Sequence, residues 1–379
     1  MGIFQHLCVE DHEEGSGPLL AEAGSIESSP AASGRPEPRE FFLSPKKNLA
    51  LSLVLLFASY SALLVPAYLP VQHPIWSDGS TDEDVLKHSA AMLARTCNSG
   101  WAVARLKKMP GFRSLLEIPV FLQNATGGWD LAPPLGLQGS EEMLAHTLSA
   151  LPLSGLPFSP DRCRRCIVVG SGGILRGKHL GDHIDKYDII IRMNNAPVFG
   201  FEKDAGSRTT IRLVYPEGAP ILNQEYHNTE IIALVVFKRL DLEWLLSVVT
   251  NEPLSWWSKL WFWKNVVNEI PLPPGNFRIT NPEILNRTWH LLLTYNKQQR
   301  KTVPTLGLIG VVLALQLCDE VSLAGFGYDL QQPGARLHYY EALRMDTMMS
   351  QVVHDVTTES SLLQELVKAR VLHDLTGVL

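Results

Sequence analysis

Six short, mainly apolar runs set the tightest limit on what this chain can fold into. They are Ile167–Val169, Tyr187–Ile191, Thr210–Val214, Ile231–Val236, Phe277–Ile279 and Glu320–Ala324. Runs of this length, rich in Ile and Val and lacking polar alternation, read as strands buried on both faces. Helical stretches separate or follow them, including the uniformly apolar Gly307–Leu317 and the amphipathic Ser361–Val371. The alternation predicts an α/β domain: a Rossmann-like, mostly parallel sheet with helices on both faces. Its ligand is expected at the carboxyl ends of the strands.

A different apolar segment, Leu49–Leu69, reads LALSLVLLFASYSALLVPAYL and carries no charge. That is long enough to cross a bilayer as a helix. A cleaved signal peptide would sit nearer the N-terminus and have a shorter apolar region. Residues 1–48, rich in Glu, Ser, Gly and Pro, read as a disordered tail. Lys46 and Lys47 flank the near side of the apolar segment. The bias of Lys and Arg toward the cytosol then predicts a single-pass type II protein: cytosolic tail 1–48, transmembrane signal-anchor 49–69, luminal stem 70–95 and luminal folded domain 96–379. A formal net charge of -6, with no long basic block, argues against a nucleic-acid partner.

Four of the five cysteines, Cys97, Cys163, Cys166 and Cys318, fall on the luminal side, and an even number there permits two disulfides. Cys163-Arg-Arg-Cys166 also has the spacing of a redox or zinc pair. It runs into a strand instead of opening a helix, however, and the second close pair of a four-cysteine zinc site is missing. Asn124-Ala-Thr126 and Asn286-Arg-Thr288 match the glycosylation sequon. No Asp-x-Asp pair is placed like the metal clamp of nucleotide-diphosphate sugar enzymes, and no metal or other cofactor is expected. The turn Gly170-Ser171-Gly172-Gly173 follows the first strand. It either lets the main chain approach a nucleotide or is a structural turn alone, since the full dinucleotide fingerprint is absent. Trp256, Trp257, Trp261 and Trp263 crowd one stretch, read either as core packing or as a surface facing sugar or membrane.

Four blocks carry a resemblance. The block CRRCIVVGSGGILRGKHLGDHIDKYDIIIRMNNAPVFGFEKDAGSRTTIRLVYPE from Cys163 resembles the large sialylmotif of eukaryotic sialyltransferases, and PTLGLIGVVLALQLCDEVSLAGFGYD from Pro304 resembles the small one. His338-Tyr-Tyr-Glu341 resembles the third motif, and His354 with Glu359 the very small motif. The resemblance implies a variant GT-A-like fold in the Golgi membrane. It implies disulfides Cys166–Cys318 and Cys97–Cys163. It puts donor binding at Gly170, Ser171, Gly172, Gly173, Asn194, Tyr215, Thr305 and Gly307. Ser171 stands where the family usually has Asn. His354 would be the general base, and His338 would stabilise the departing phosphate. Glu359 would orient the region of His354 or cap a helix. Arg192 or Arg212 would meet the donor or be paired structurally.

The implied reaction is metal-independent, inverting transfer of sialic acid from CMP-N-acetylneuraminate to the 3-hydroxyl of terminal galactose. Within the family the blocks look most like the N-acetyllactosaminide alpha-2,3 branch. Galβ1-3/4GlcNAc on glycoproteins or glycolipids is therefore the first expected acceptor, with Leu131–Gly139 as an acceptor-side loop. The alternatives are lactosylceramide, Galβ1-3GalNAc, or a weakly active or non-catalytic Golgi homologue that binds glycans. Expected partners are CMP-sialic acid, galactose-terminated acceptors, and a second copy or other Golgi glycosyltransferases.

Overall fold

The computed structural model describes residues 82–124, 131–152, 162–295, 302–327, 335–344 and 354–379. The expected tail and anchor lie outside these residues. Among the described residues no helix is long and apolar enough to cross a membrane.

Seven strands form one sheet: β1 (Arg165–Val169), β2 (Ile189–Met193), β3 (Thr209–Val214), β4 (Thr229–Leu234), β5 (Phe277–Ile279), β6 (Glu320–Ala324) and β7 (Leu372–Asp374). Their order is β5-β4-β3-β2-β1-β6-β7, and every pair is parallel. β1 shows how both faces are used. Cys166 and Val168 join one hydrophobic cluster, while Ile167 and Val169 join another on the opposite face. Helix Leu306–Leu317 is apolar all round, so it is buried on every side. It packs on the sheet closely enough that a Cβ on Gly310 would lie 3.3 Å from both Val168 and Leu213.

Several boundaries differ from the sequence expectation. Pairing of β2 begins at Ile189, opposite Cys166, which leaves Tyr187 and Asp188 outside the strand. Tyr187 instead donates its hydroxyl to Ser322 Oγ at 2.9 Å. The C-terminal helix runs Val356–Lys368, starting before Ser361 because Asp355 accepts from Thr358 N at 3.0 Å and caps it. β7 had no apolar run to announce it. Its three residues are Leu-His-Asp, and the Asp374 carboxylate then accepts main-chain N–H bonds from Thr376, Val378 and Leu379. Within the segment read as a stem, helix Asp82–Ala94 buries Val85 and Ser89, so packed structure starts at least as early as Asp82. The tryptophans of the crowded stretch stay outside the core; Phe262 between them is buried instead.

Disulfides join Cys97 to Cys163 and Cys166 to Cys318, with Cα separations of 6.0 and 5.9 Å. The second ties β1 to the end of helix Leu306–Leu317.

Candidate active site

The first residues after β1, β2, β3 and β6 are Gly170, Asn194, Tyr215 and Gly325. These strands are adjacent in the order β3-β2-β1-β6, so the four residues form a row along the carboxyl edge of the sheet. The succession of strands proceeds outward from β1 to β5, then returns to the other side of β1 for β6. The connections leaving β1 and β6 therefore run in opposite directions, and the carboxyl edge at such a switch point is where α/β sheets bind ligands.

The glycine turn packs main chain against main chain at this edge, with Gly170 N donating to Ala324 O at 2.7 Å and Gly172 N to Gly325 O at 3.0 Å. A Cβ on Gly170 would lie 2.4 Å from Gly325 O, one on Gly172 2.5 Å from the same oxygen, and one on Gly173 2.3 Å from Arg336 O. Side chains at these places would hold the segments apart. Gly173 N donates to Leu337 O at 3.2 Å and Tyr339 N to Ser171 O at 3.0 Å, forming an antiparallel bridge between Gly172 and His338. The third motif is thus pinned to the first turn. The His338 ring stacks on Tyr340 with centroids 5.2 Å apart, and its Nδ1 contacts Glu341 Oε1. Nε2 remains as the ring nitrogen that can address a ligand.

Asn194 adopts a left-handed backbone with φ 51°. Its N–H donates to Leu213 O at 2.8 Å, and its carbonyl accepts from Arg212 Nη1 at 2.9 Å. Its side-chain Oδ1 is buried and has no hydrogen-bond partner among the described residues. A buried amide oxygen left open is a ready acceptor for a ligand hydroxyl or amine. Gly218 makes room for it: a Cβ there would lie 2.3 Å from Asn194 Oδ1 and 3.0 Å from the Tyr215 ring. The Tyr215 ring meets Phe237 edge-on, and burial pushes its phenol up to about 12, so it acts as a neutral hydrogen-bonding group.

Both candidate arginines are structural. Arg212 is fully buried, pairs with Glu225 at 3.1 Å and holds the carbonyls of Asn194 and Ala196. It therefore shapes the Asn194 turn from beneath. Arg192, equally buried, donates to Ala205 O, Arg208 O and Thr209 Oγ1.

The small motif meets the very small motif at Thr305. Its hydroxyl accepts from Leu308 N at 3.2 Å, capping helix Leu306–Leu317, and donates to Glu359 Oε2. Its N–H donates to Glu359 Oε1 at 2.8 Å. Burial pushes the Glu359 carboxyl up to about 7. Asp355, not Glu359, caps the helix, so Glu359 serves as a clamp on Thr305. His354 Nδ1 lies 2.6 Å from Val303 O. A carbonyl can only accept, so Nδ1 carries the proton and Nε2 holds the lone pair. Burial holds this imidazole below its ordinary pKa, which favours the neutral, basic form. Gly307 completes the arrangement. A Cβ there would lie 3.3 Å from the Phe326 ring, the same ring that would stand 3.1 Å from a Cβ on Gly170.

Gly218, Gly325, Phe326 and Val303 were not singled out in the sequence. The Gly325-Phe326-Gly327 run directly after β6 was the available signal for two of them. The two sequons differ in setting. Asn124 is exposed outside any helix or strand, whereas Asn286 lies within helix Pro282–Tyr295, donates Nδ2 to Glu283, and is followed by fully buried Thr288. Leu131–Gly139 folds partly back on itself: Gln138 N donates to Leu131 O at 3.0 Å, and Leu137 is buried. A cavity of about 420 Å³ opens at β7, lined by Asp84, His88, His373 and Thr376 among others, but none of the motif residues lines it. Among the described residues no cluster of three or more His, Cys, Asp or Glu side chains is arranged to hold a metal ion.

Residues 122–371 match Glycosyltransferase family 29 (sialyltransferase). The chain is 45% identical over 312 residues to lactosylceramide alpha-2,3-sialyltransferase of Mus musculus, covering 78% of this chain and 75% of that one. It is 41% identical over 303 residues to the Homo sapiens protein of the same name, covering 77% and 72%. It is 38% identical over 337 residues to CMP-N-acetylneuraminate-beta-1,4-galactoside alpha-2,3-sialyltransferase of Homo sapiens, covering 86% and 89%. A crystal structure of a mammalian sialyltransferase, also solved in complex with Gal-beta-1-3GalNAc-ortho-nitrophenol, superposes with TM-scores of 0.59 and 0.58 at 27% and 26% identity. The two superpositions cover 75% and 74% of this chain, and 99% and 100% of the solved ones. A family match across most of the folded domain and relatives of this extent agree with the motif residues gathered at the carboxyl edge of the sheet: the chain belongs to glycosyltransferase family 29 and is a sialyltransferase.

Proposed function

We propose that the protein transfers sialic acid from CMP-N-acetylneuraminate to the 3-hydroxyl of a terminal galactose, with lactosylceramide as the preferred acceptor. This reverses the order expected from the motifs, which put Galβ1-3/4GlcNAc first. The reversal rests on the names of the relatives, since identity is 41–45% to the lactosylceramide enzymes cited above and 38% to the beta-1,4-galactoside enzyme. Catalysis takes place in the Golgi lumen, with segment 49–69 as anchor.

In the proposed mechanism Asn194, Tyr215 and the main chain of Gly170–Gly173, with Ser171 in their midst, bind the donor beside Thr305 and Gly307. The galactose oxygen attacks the anomeric carbon of sialic acid from the face opposite the CMP. The carbon–oxygen bond to phosphate breaks, its electron pair leaving with CMP, and the configuration inverts. His354 Nε2 takes the hydroxyl proton as the new bond forms. His338, protonated on both ring nitrogens with Nδ1–H held by Glu341, donates Nε2–H to the departing phosphate.

The observation that carries this reading is the hydrogen bond from His354 Nδ1 to Val303 O, which leaves the basic nitrogen open. The test is transfer to lactosylceramide, Galβ1-4GlcNAc and Galβ1-3GalNAc by the wild-type and His354→Ala proteins, with the linkage read by linkage-specific sialidase. Fastest transfer to Galβ1-4GlcNAc would restore the motif-based order, and an undiminished His354→Ala protein would remove His354 as the base.

A further inference from the structure

We propose that the tryptophan-rich segment 256–263 is a membrane-docking surface, which seats the domain on the bilayer that carries its lipid-linked acceptor. Trp256, Trp257, Leu260, Trp261 and Trp263 are each between 53% and 66% exposed. Trp256 and Trp257 stack with centroids 3.9 Å apart, and large apolar side chains this exposed and this close together mark an interaction site. Three observations select a bilayer as the occupant. First, four of the chain's nine tryptophans lie here, and Trp is the residue that settles at the headgroup level, apolar ring inward and N–H toward water. Second, exposed Lys259 and Lys264 alternate with the rings in sequence, and long basic side chains beside apolar groups reach up to the phosphates of the headgroup layer. A sugar-stacking platform would need neither Leu260 nor the lysines. Third, the uncharged segment 49–69 ends a short way before the folded residues. Residues 70–81 span at most ~40 Å when extended, so an anchor at 49–69 would tether the folded residues within that reach of a bilayer.

The patch is held on the side of the molecule that carries the site. Buried Phe262 anchors it, and the Lys238 ammonium, just beyond the carboxyl end of β4, sits 5.0 Å from that ring. Ser258 Oγ donates to Glu243 Oε2 at 3.2 Å, fixing the short helix Trp256–Leu260 to the amino-terminal half of helix Arg239–Thr250, the half that follows the carboxyl end of β4. Docking there would bring the carboxyl edge of the sheet toward the headgroups, where the sugar of a glycolipid is presented. The acceptor consequence rests on the proposed lactosylceramide reading; the docking itself does not.

The test reconstitutes the full-length chain in phosphatidylcholine vesicles and compares it with the Trp256→Ser/Trp257→Ser/Trp261→Ser protein. Brominated phosphatidylcholine, which quenches tryptophan in contact with acyl chains, should quench the wild type strongly and the triple variant far less. The KM for lactosylceramide in the same vesicles should rise about tenfold, a loss of about 1.4 kcal/mol of productive encounter, while that for a soluble lactoside is unchanged. Equal quenching of the two proteins, or an equal loss on soluble acceptor, would overturn the proposal. If neither protein transfers to any acceptor, the function reading fails while the quenching still decides the docking.

Discussion

The buried carboxyl of Glu359 receives both the main-chain N–H and the hydroxyl of Thr305, two residues 54 positions apart in sequence. One side chain thus locks the cap of helix Leu306–Leu317 to the helix that follows His354. Val303 O, two residues before Thr305, holds Nδ1 of His354, five before Glu359. Candidate base and candidate donor-binding residue are set by one pair of crosslinks.

Burial raises the Glu359 carboxyl from its ordinary value of 4.5 to about 7. Between these values the folded protein binds more protons than the unfolded chain, so this group's contribution to stability falls as pH rises through the window. The full difference is at most about 3 kcal/mol. Glu359→Gln removes the titration. Thermal unfolding from pH 4.5 to 7 should therefore show a shallower decline in the variant than in the wild type, and parallel curves would show that Glu359 is not the titrating group.

His354→Ala should lower kcat by about 10²–10⁴, the usual contribution of a general base, with little change in donor KM. Burial holds the imidazole below 6.5, so the neutral base persists into mildly acidic solution. The acid limb of the wild-type kcat/KM profile is expected below pH 6.5, and a limb centred above it would contradict a desolvated base.

Gly218→Ala should raise the KM for CMP-sialic acid. The new methyl would collide with Asn194 Oδ1 and force the carboxamide out of its present position. Asn194→Ala should show a similar increase, and the double variant little more than either alone, because both changes remove one contact. Fully additive effects in steady-state kinetics would separate the two residues.

When the protein is expressed in a secretory host, Asn124→Gln should abolish a glycosidase-sensitive mobility shift and Asn286→Gln should leave it unchanged. Asn286 and buried Thr288 are both within a helix, whereas Asn124 is exposed. A shift lost only with Asn286→Gln would reverse the assignment.

Ser171→Asn tests the departure from the family pattern. The Ser171 carbonyl already supports the bridge to Tyr339, so a longer side chain need not disturb that bridge. An added carboxamide is expected to lower donor KM, and an unchanged KM would mean that the side chain at this position does not reach the donor.

Hydrophobic patterning by itself determined the parallel sheet, because strands buried on both faces must be apolar throughout, and runs such as Ile189–Ile191 and Ile231–Leu234 leave little other choice. Resemblance named the four motifs that carry the candidate site. Local pattern was silent where a strand had no apolar run, as in Leu372–Asp374, and where a helix began on polar residues under the cap of Asp355. It also could not assign Arg192 and Arg212: a guanidinium looks the same in sequence whether it meets a ligand or, like Arg212, a buried Glu225. Only the tertiary structure decided that Gly218 clears space for Asn194, that Phe326 spans Gly170 and Gly307, and that the crowded tryptophans face outward while Phe262 enters the core. Each of these depends on distances between residues far apart in the chain, and such distances are set by packing, which no local spacing encodes.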